Sequence, residues 1–299
     1  MSPRDMPIVS IVLGSHNRRP FLSATLESVR KNGMDFPYEI IVVDGGSTDG
    51  SMQYLAKQKD VITIIQHNRG EFRGRQIERR SWGYFMNLGF KVAQGKYILM
   101  ISDDCLLIPD AIKNGVERFE KLLAEGQKVG AMAFYWRNWP EQKEYWVCHT
   151  LSDKLTVNHG MYLCSALQEI GWADEKFIFY YADGDICLRL WQKGYIVVES
   201  PDSFIEHFSH ANLEIRKTNI SSEREDWQRF LNKWEGIYYD KEKPYYGKWE
   251  YKPYLDKNNT FMQFPPIDRL EIKLKKLKSK YKYLKNQIAK KGIKMLFPL

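Results

Sequence analysis

The sequence predicts an α/β fold: a mostly parallel central sheet flanked by helices, followed by a helical C-terminal extension. Short apolar runs alternate with helix-like segments through the first half of the chain. Parallel strands buried on both faces, with their crossover helices, leave that pattern. Beyond about residue 216 the periodicity changes to a polar helix, then a Pro/Tyr-rich stretch, then a basic helix.

In chain order, Pro7 to Leu13 (PIVSIVL) predicts a strand, Phe21 to Asn32 a helix and Tyr38 to Val43 a second strand. Ser51 to Gln58 predicts a helix, Val61 to Gln66 a third strand, Ser81 to Ala93 a helix, and Tyr97 to Ile101 (YILMI) a fully apolar strand. Pro109 is expected to open the next helix, where its missing amide proton has no partner to lose. In the aromatic middle, Ala131 to Trp136 and Lys154 to Leu163 predict strands, and Ser165 to Gly171 a short helix ended by glycine. Asp183 to Lys193 predicts a helix leading into a strand at Tyr195 to Glu199. The expected division is a domain over residues 1–215, a helical and loop extension over 216–266 with a loop at Lys243 to Pro266, and a basic amphipathic helix over 267–299.

The location of the charge decides which partners it implies. The net charge is +8, but residues 269–299 hold eleven Lys and Arg against Glu271, so that segment carries +10 and residues 1–268 together carry −2. A nucleic-acid partner for the body is therefore not expected. In the tail, Leu270, Leu274, Leu277, Tyr281, Leu284 and Ile288 form an apolar seam on a basic helix. It suits homodimerisation, docking on its own domain, or attachment to an anionic membrane surface. Cys105, Cys148, Cys164 and Cys187 lie far apart with no CxxC pair and read as buried free thiols of a reducing compartment. The N-terminal apolar run is about six residues long, short for a signal peptide core. No stretch reaches the roughly 18 apolar residues of a membrane span. A cytoplasmic protein is expected, with peripheral attachment at the inner face of the cytoplasmic membrane as an option.

Three acidic positions are candidates for chemistry. Asp103 and Asp104 follow an apolar strand, at the sheet edge where open α/β folds bind ligands, and a divalent ion bridging them to a diphosphate would neutralise both. A solvated turn with a helix cap is the alternative. Asp44, in IIVVDGGSTDGS, offers an acceptor for a base N–H beside backbone a nucleotide can approach, or else belongs to a Gly-rich turn capped by Ser47 or Asp49. Asp183 and Asp185 sit at a helix start, with His207 and His210 after the next strand. There a carboxylate could act as general base and an imidazole as metal ligand, or the histidines could be structural.

Taken in order, GSHNRRPFLSATLESV after a strand, EIIVVDGGSTDGS, NLGFKVAQGKYILMISDDCLLIPDAI, EIGWADEKF, and YYADGDICLRLWQKGY with a later His resemble glycosyltransferase family 2, a group with the GT-A fold, over about residues 7 to 212. The resemblance implies inverting transfer from a nucleoside diphosphate sugar (UDP-, GDP- or dTDP-linked), with Mn²⁺ or Mg²⁺ clamping the diphosphate. It implies that Ser15 and Asn17 line the nucleotide pocket and that Asp44 meets the base. Asp103 would face ribose and metal, Asp104 would be the main metal ligand, and His207 a third contact. Asp183 occupies the position of the catalytic base.

The chain departs from the family pattern at Gly14 in place of Pro, Gly45 in place of the second Asp of the VDD block, Ala182 in place of an acid, and Met86 in place of an Arg. Phosphate contact then falls to Arg75, Arg79 or Arg80. No QxxRW motif follows the base, so addition of a single sugar to a glycan or lipid-linked acceptor is expected rather than processive synthesis. Among the aromatic residues, Trp136, Trp172 and Tyr181 are candidate acceptor contacts, since sugar rings stack on aromatic planes. Asn158 and His159 are candidates by position, and core packing is the alternative for the aromatics. GxGxxG and GxGxR segments are missing, which speaks against a dinucleotide oxidoreductase and a nucleotidyltransferase. A non-catalytic carbohydrate-binding or assembly protein that keeps the fold is the competing expectation.

Overall fold

The computed structural model describes residues 6–254 except 140, 141, 209–218, 244 and 246. Its first half runs β1 (Val9–Ser15), α1 (Arg19–Arg30), β2 (Tyr38–Asp44), α2 (Ser51–Leu55), β3 (Val61–Ile65), the short hairpin β4 (Glu71–Phe72) and β5 (Arg75–Gln76), α3 (Trp82–Phe90) and β6 (Tyr97–Ser102). The second half runs β7 (Cys105–Leu107), α4 (Ala111–Ala124), β8 (Val129–Asn138), β9 (Tyr145–Thr150), β10 (Lys154–Leu155), β11 (Gly160–Leu163), α5 (Cys164–Glu169), α6 (Ala182–Gln192), β12 (Ile196–His207), α7 (Glu223–Trp234) and β13 (Lys248–Lys252).

One large sheet has the order β10-β9-β8-β11-β6-β1-β2-β3. Strands β3, β2, β1 and β6 are parallel, as their continuous apolar runs require, and β12 joins β8 in parallel. Strand β11 is antiparallel to both β6 and β8 and so joins the parallel half to the mixed half.

Alternation along β1 splits the core in two. Val9, Ile11 and Leu13 face α1 and α4, packing with Leu22, Leu26, Ile112 and Phe119. Val12, with Ile41 and Met100, faces the other way onto Met86 and Phe90 of α3 and Ile186 and Leu190 of α6. Helix α3 can lie this close only because position 89 is glycine: a Cβ there would stand 2.5 Å from Val12 Cγ1. A third cluster joins α7 to α6 through Leu151, Phe177, Leu188, Phe230 and Trp234.

Four local expectations are corrected. Helix α4 starts at Ala111 rather than at Pro109, because Asp110 takes a left-handed conformation (φ 66°) ahead of it. Lys154 to Leu163 is two short strands, since residues 156–159 leave the ladder to reach the cleft described below. Strand β9 was not predicted, and β13 falls inside the expected loop; β13 pairs with β9 from Lys248↔His149 to Lys252↔Tyr145. The apolar seam of the basic tail and His210 lie outside the described residues.

Candidate active site

Strands β1, β2 and β6 end level with one another, Ser15 beside Asp44 and Gly14 beside Ser102. The chain moves outward from β1 to β2 and β3, then returns to β6 on the other flank, which makes the carboxyl end of β1 and β6 the switch point of the sheet. A crevice opens at such a point because the loops on either side diverge. The cleft here measures about 470 Å³, and its walls include Ser15, Asp103, Asp104, Asn158, Asp183 and His207.

Asp103 and Asp104 form the turn between β6 and β7 and are 2% and 3% exposed. Two adjacent buried carboxylates need positive charge, and Arg18 supplies it: Nη1 donates to Asp103 Oδ1 and to Asp104 Oδ2, each at 2.8 Å. Burial opposes ionisation of both acids. At Asp103 burial and the Asp104 charge outweigh Arg18, and the pKa rises to about 6. At Asp104 the attraction of Arg18, helped by His207, outweighs burial and holds the carboxyl below its ordinary range.

Asp103 Oδ2 and Asp104 Oδ1 remain buried without a hydrogen-bond partner. His207 Nδ1 donates to Asn138 Oδ1 at 2.8 Å, which turns Nε2 toward Asp104 Oδ1 at 3.5 Å. Two acceptors thus face each other across a gap that a cation or a proton would fill. Among the described residues no group of three or more His, Cys, Asp or Glu is placed to hold a metal ion by itself. In chemical type, the two unpartnered carboxylate oxygens suit a divalent ion that takes most of its ligands from water and phosphate, with the imidazole at the side.

The second acidic site comes from the other half of the chain. Asp183 is in the first turn of α6, where the unpaired helix amides favour negative charge. Asn158 Nδ2 donates to its Oδ2 at 3.0 Å and Gly184 N to its Oδ1 at 2.8 Å. Burial still raises the Asp183 pKa against these two donors. Asp185, two residues on, has a different place: it is fully buried and paired with Arg189 at 2.8 Å and Lys233 at 2.7 Å.

Arg79 and Arg80 line the basic side of the cleft, joined by Arg69 and His16, which the sequence did not single out. Arg79 Nη2 and Arg69 Nη2 both donate to Asn219 Oδ1, at 2.5 and 3.4 Å. Burial lowers the pKa of both; at Arg69 the charge of Arg79 adds to the effect, and at Arg79 the charge of Asp226 opposes it.

Other sequence candidates lie elsewhere. Asp44 is fully buried in its own turn, Oδ1 accepting from Gly46 N and Ser47 N and Oδ2 from Ser47 Oγ at 2.7 to 2.9 Å. Asn17, in a left-handed conformation, accepts from Thr48 N at 2.7 Å and ties the β1 loop to the β2 loop. Arg75 is exposed on the β4–β5 hairpin, and Trp172 packs on the α3–α6 side of the sheet. None of these four lines the cleft. Of the acceptor candidates, Asn158, His159, Trp136 and Tyr181 do. His159 and Trp136 are only 4% and 8% exposed, and Trp136 packs edge-on against His159 and His207 at 5.4 Å. Burial lowers the His159 pKa to about 3, so its imidazole is neutral.

Departures from the family pattern have local causes. A Cβ at Gly45 would stand 3.0 Å from His16 Nδ1, so the imidazole crowds the position where the family has an acid. Ala182 is buried in the cluster of Leu151, Phe177 and Phe230, where an acid would lack a partner. Arg18 was legible in NRRP only as a basic residue, because nothing in its neighbourhood points to aspartates 85 and 86 residues away.

A sheet of this order, with paired aspartates at its switch point, is the GT-A arrangement of glycosyltransferases, and solved structures agree. The chain matches TarS of S. aureus with a TM-score of 0.51 at 16% identity, over 67% of this chain and 36% of that one. It matches a mannosyltransferase from Pyrobaculum calidifontis, solved with GDP-Man and Mn²⁺, with a TM-score of 0.50 at 17% identity, over 68% of this chain and 57% of that one. The model of glycosyl transferase family 2 matches residues 10–166, just over half of the chain, which belongs to that family and is a glycosyltransferase.

Among curated relatives, the chain is 22% identical to the dolichyl N-acetyl-alpha-D-glucosaminyl phosphate 3-beta-D-2,3-diacetamido-2,3-dideoxy-beta-D-glucuronosyltransferase of Methanococcus voltae, over 70% of this chain and 69% of that one. It is 27% identical to the UDP-Glc:alpha-D-GlcNAc-diphosphoundecaprenol beta-1,3-glucosyltransferase WfaP of Escherichia coli, over 53% of this chain and 56% of the relative.

Proposed function

We propose that the protein transfers a single sugar from a nucleoside diphosphate sugar to a hydroxyl of a glycan or lipid-linked acceptor, with inversion at the anomeric carbon. One observation carries this: a single cleft holds paired aspartates from the turn after β6, a third aspartate from α6, and a wall of arginines. The arginines suit a diphosphate, and the separate carboxylate suits an acceptor.

In this reading Asp183 takes the proton of the acceptor hydroxyl while that oxygen attacks the anomeric carbon from the side opposite the diphosphate. Asn158 and the Gly184 amide hold the carboxylate in position. Burial keeps it basic enough to receive the proton, because a raised pKa strengthens the base. Arg69, Arg79 and Arg80 draw the anionic donor in. Asp103, Asp104 and His207 would hold Mn²⁺ or Mg²⁺, which supplies positive charge beside the departing phosphate oxygen. Arg18 holds the other oxygen of each aspartate and so keeps both carboxylates in place.

The names of two relatives support a lipid-linked acceptor: both include a sugar carried by a lipid phosphate or diphosphate. The +10 segment over residues 269–299 supports peripheral attachment at an anionic membrane, where such acceptors reside. Among the described residues no helix is long and apolar enough to cross a membrane.

The test is a panel of UDP-, GDP- and dTDP-sugars offered with polyprenyl diphosphate-linked GlcNAc and Mn²⁺, with EDTA controls and the product's anomeric configuration read by NMR. Cation-dependent transfer with an inverted linkage is expected. A product that keeps the donor's configuration would refute the direct displacement, and full transfer in EDTA would refute the cation's part in it.

A further inference from the structure

Asp226 lies on α7, beyond the stretch that the family model covers, and is fully buried. Its carboxylate reaches across to the loop that precedes α6. Oδ1 accepts from Ile178 N at 2.7 Å, and Oδ2 accepts from Phe179 N at 2.8 Å and Tyr180 N at 2.9 Å. Three successive amides aimed at one point form a concave anion site, here filled by a side chain remote in sequence. The loop is tied on its other side as well, since Ile178 O accepts from Trp82 N, the first residue of α3, at 2.8 Å.

Residues 178–181 line the cleft and lead directly to Asp183. Tyr181 enters α6 in a left-handed conformation (φ 64°), which an L side chain adopts only when its surroundings impose it. The surroundings come from α7 again: Trp227 lies 4.9 Å from the Tyr181 ring and Phe230 is stacked on it at 5.6 Å. One helix therefore fixes the backbone before the candidate base through Asp226 and the side chain beside it through two aromatic rings.

We propose that Asp226 is a positioning residue for acceptor deprotonation: its three amide bonds hold residues 178–181 so that Asp183 meets the acceptor hydroxyl. This rests on the assignment of Asp183 as base. Asp226→Asn keeps the volume but has one acceptor oxygen in place of two. Its amide group meets the N–H donors of Phe179 and Tyr180, or that of Ile178, and the loop is released on that side.

The experiment compares wild type, Asp226→Asn, Asp226→Glu and Asp183→Asn. Donor binding and stoichiometry are measured by calorimetry, and kcat for transfer is expressed per donor-binding site, so that loss of folded protein does not mimic loss of positioning. Asp226→Asn is expected to bind donor with unchanged affinity while kcat falls at least about tenfold and the acceptor KM rises. Asp226→Glu, which keeps the charge but displaces it by a methylene, is expected to fall between the two, and it carries the test if Asp226→Asn does not fold. A kcat per site equal to wild type in whichever variant folds overturns the proposal, provided Asp183→Asn is inactive. Full transfer by Asp183→Asn overturns instead the assignment of the base.

Discussion

Asn158 Nδ2 donates to Asp183 Oδ2 at 3.0 Å, joining the connection between β10 and β11 to the start of α6. The bond favours the charged carboxylate, while burial favours the neutral one and prevails, so the pKa is raised. A base must be ionised to act, so transfer should decline as pH falls through a value above that of an ordinary aspartate. Asn158→Ala removes one of the opposing donors, and the acid limb of the kcat/KM profile should then move to higher pH. An unmoved limb would mean that the titrating base is another group.

Asp183→Asn should lower kcat by a factor of about 10² to 10⁴, the usual contribution of a general base. The same change should alter stability in a pH-dependent way. Below the unfolded pKa the acid is neutral in both states and contributes nothing. Above it the unfolded chain ionises first, and the folded state bears a penalty that is complete once pH exceeds the raised folded value. The amide carries no such penalty, so the Tm difference between variant and wild type should be larger at pH 7 than at pH 3.

The fold was largely legible because its parallel half consists of continuous apolar strands, and the acids that end them could be read from position alone. The mixed half was harder. Strand β9 (YWVCHT) alternates too weakly to stand out, and β13 (KWEYK) owes its conformation to pairing with β9. The candidate site divides in the same way: Asp103, Asp104, Asp183 and His207 follow from local motifs. The grip of Arg18 on two aspartates, the gathering of Arg69 and Arg79 on Asn219, and the hold of Asp226 on three amides join segments 46 to 150 residues apart. At Asp44 the sequence left two readings open, and the structure shows the carboxylate closing the Gly-rich turn.

Arg79→Ala should weaken binding of a nucleoside diphosphate about 10- to 100-fold, as expected for one charge-assisted bond. The affinity that remains should depend less steeply on salt. Arg75→Ala, on the exposed hairpin outside the cleft lining, should bind as wild type does. Calorimetry at two ionic strengths checks both.

If the basic segment serves membrane attachment, the full chain should sediment with vesicles rich in phosphatidylglycerol and be released by raised salt. A chain shortened to residues 1–268 carries −2 overall and should stay in solution. Equal sedimentation of both would assign any membrane affinity to the body.

Arg18 gives the sharpest test of the cation site. It is 18% exposed at the side chain and bonds two carboxylates that are 3% and 4% exposed. Arg18→Ala should therefore cost about 3 kcal/mol in the absence of divalent ions, the penalty of stranding buried charge. If the aspartates are the cation's ligands, Mn²⁺ should recover most of that loss. It should also bind Arg18→Ala more tightly than wild type without donor, because the guanidinium no longer neutralises the same two carboxylates. Thermal unfolding against Mn²⁺ concentration measures both effects without any turnover. A variant that is destabilised but gains nothing more from Mn²⁺ than wild type would make the Arg18 pair a structural ion pair and leave the aspartates without a cation.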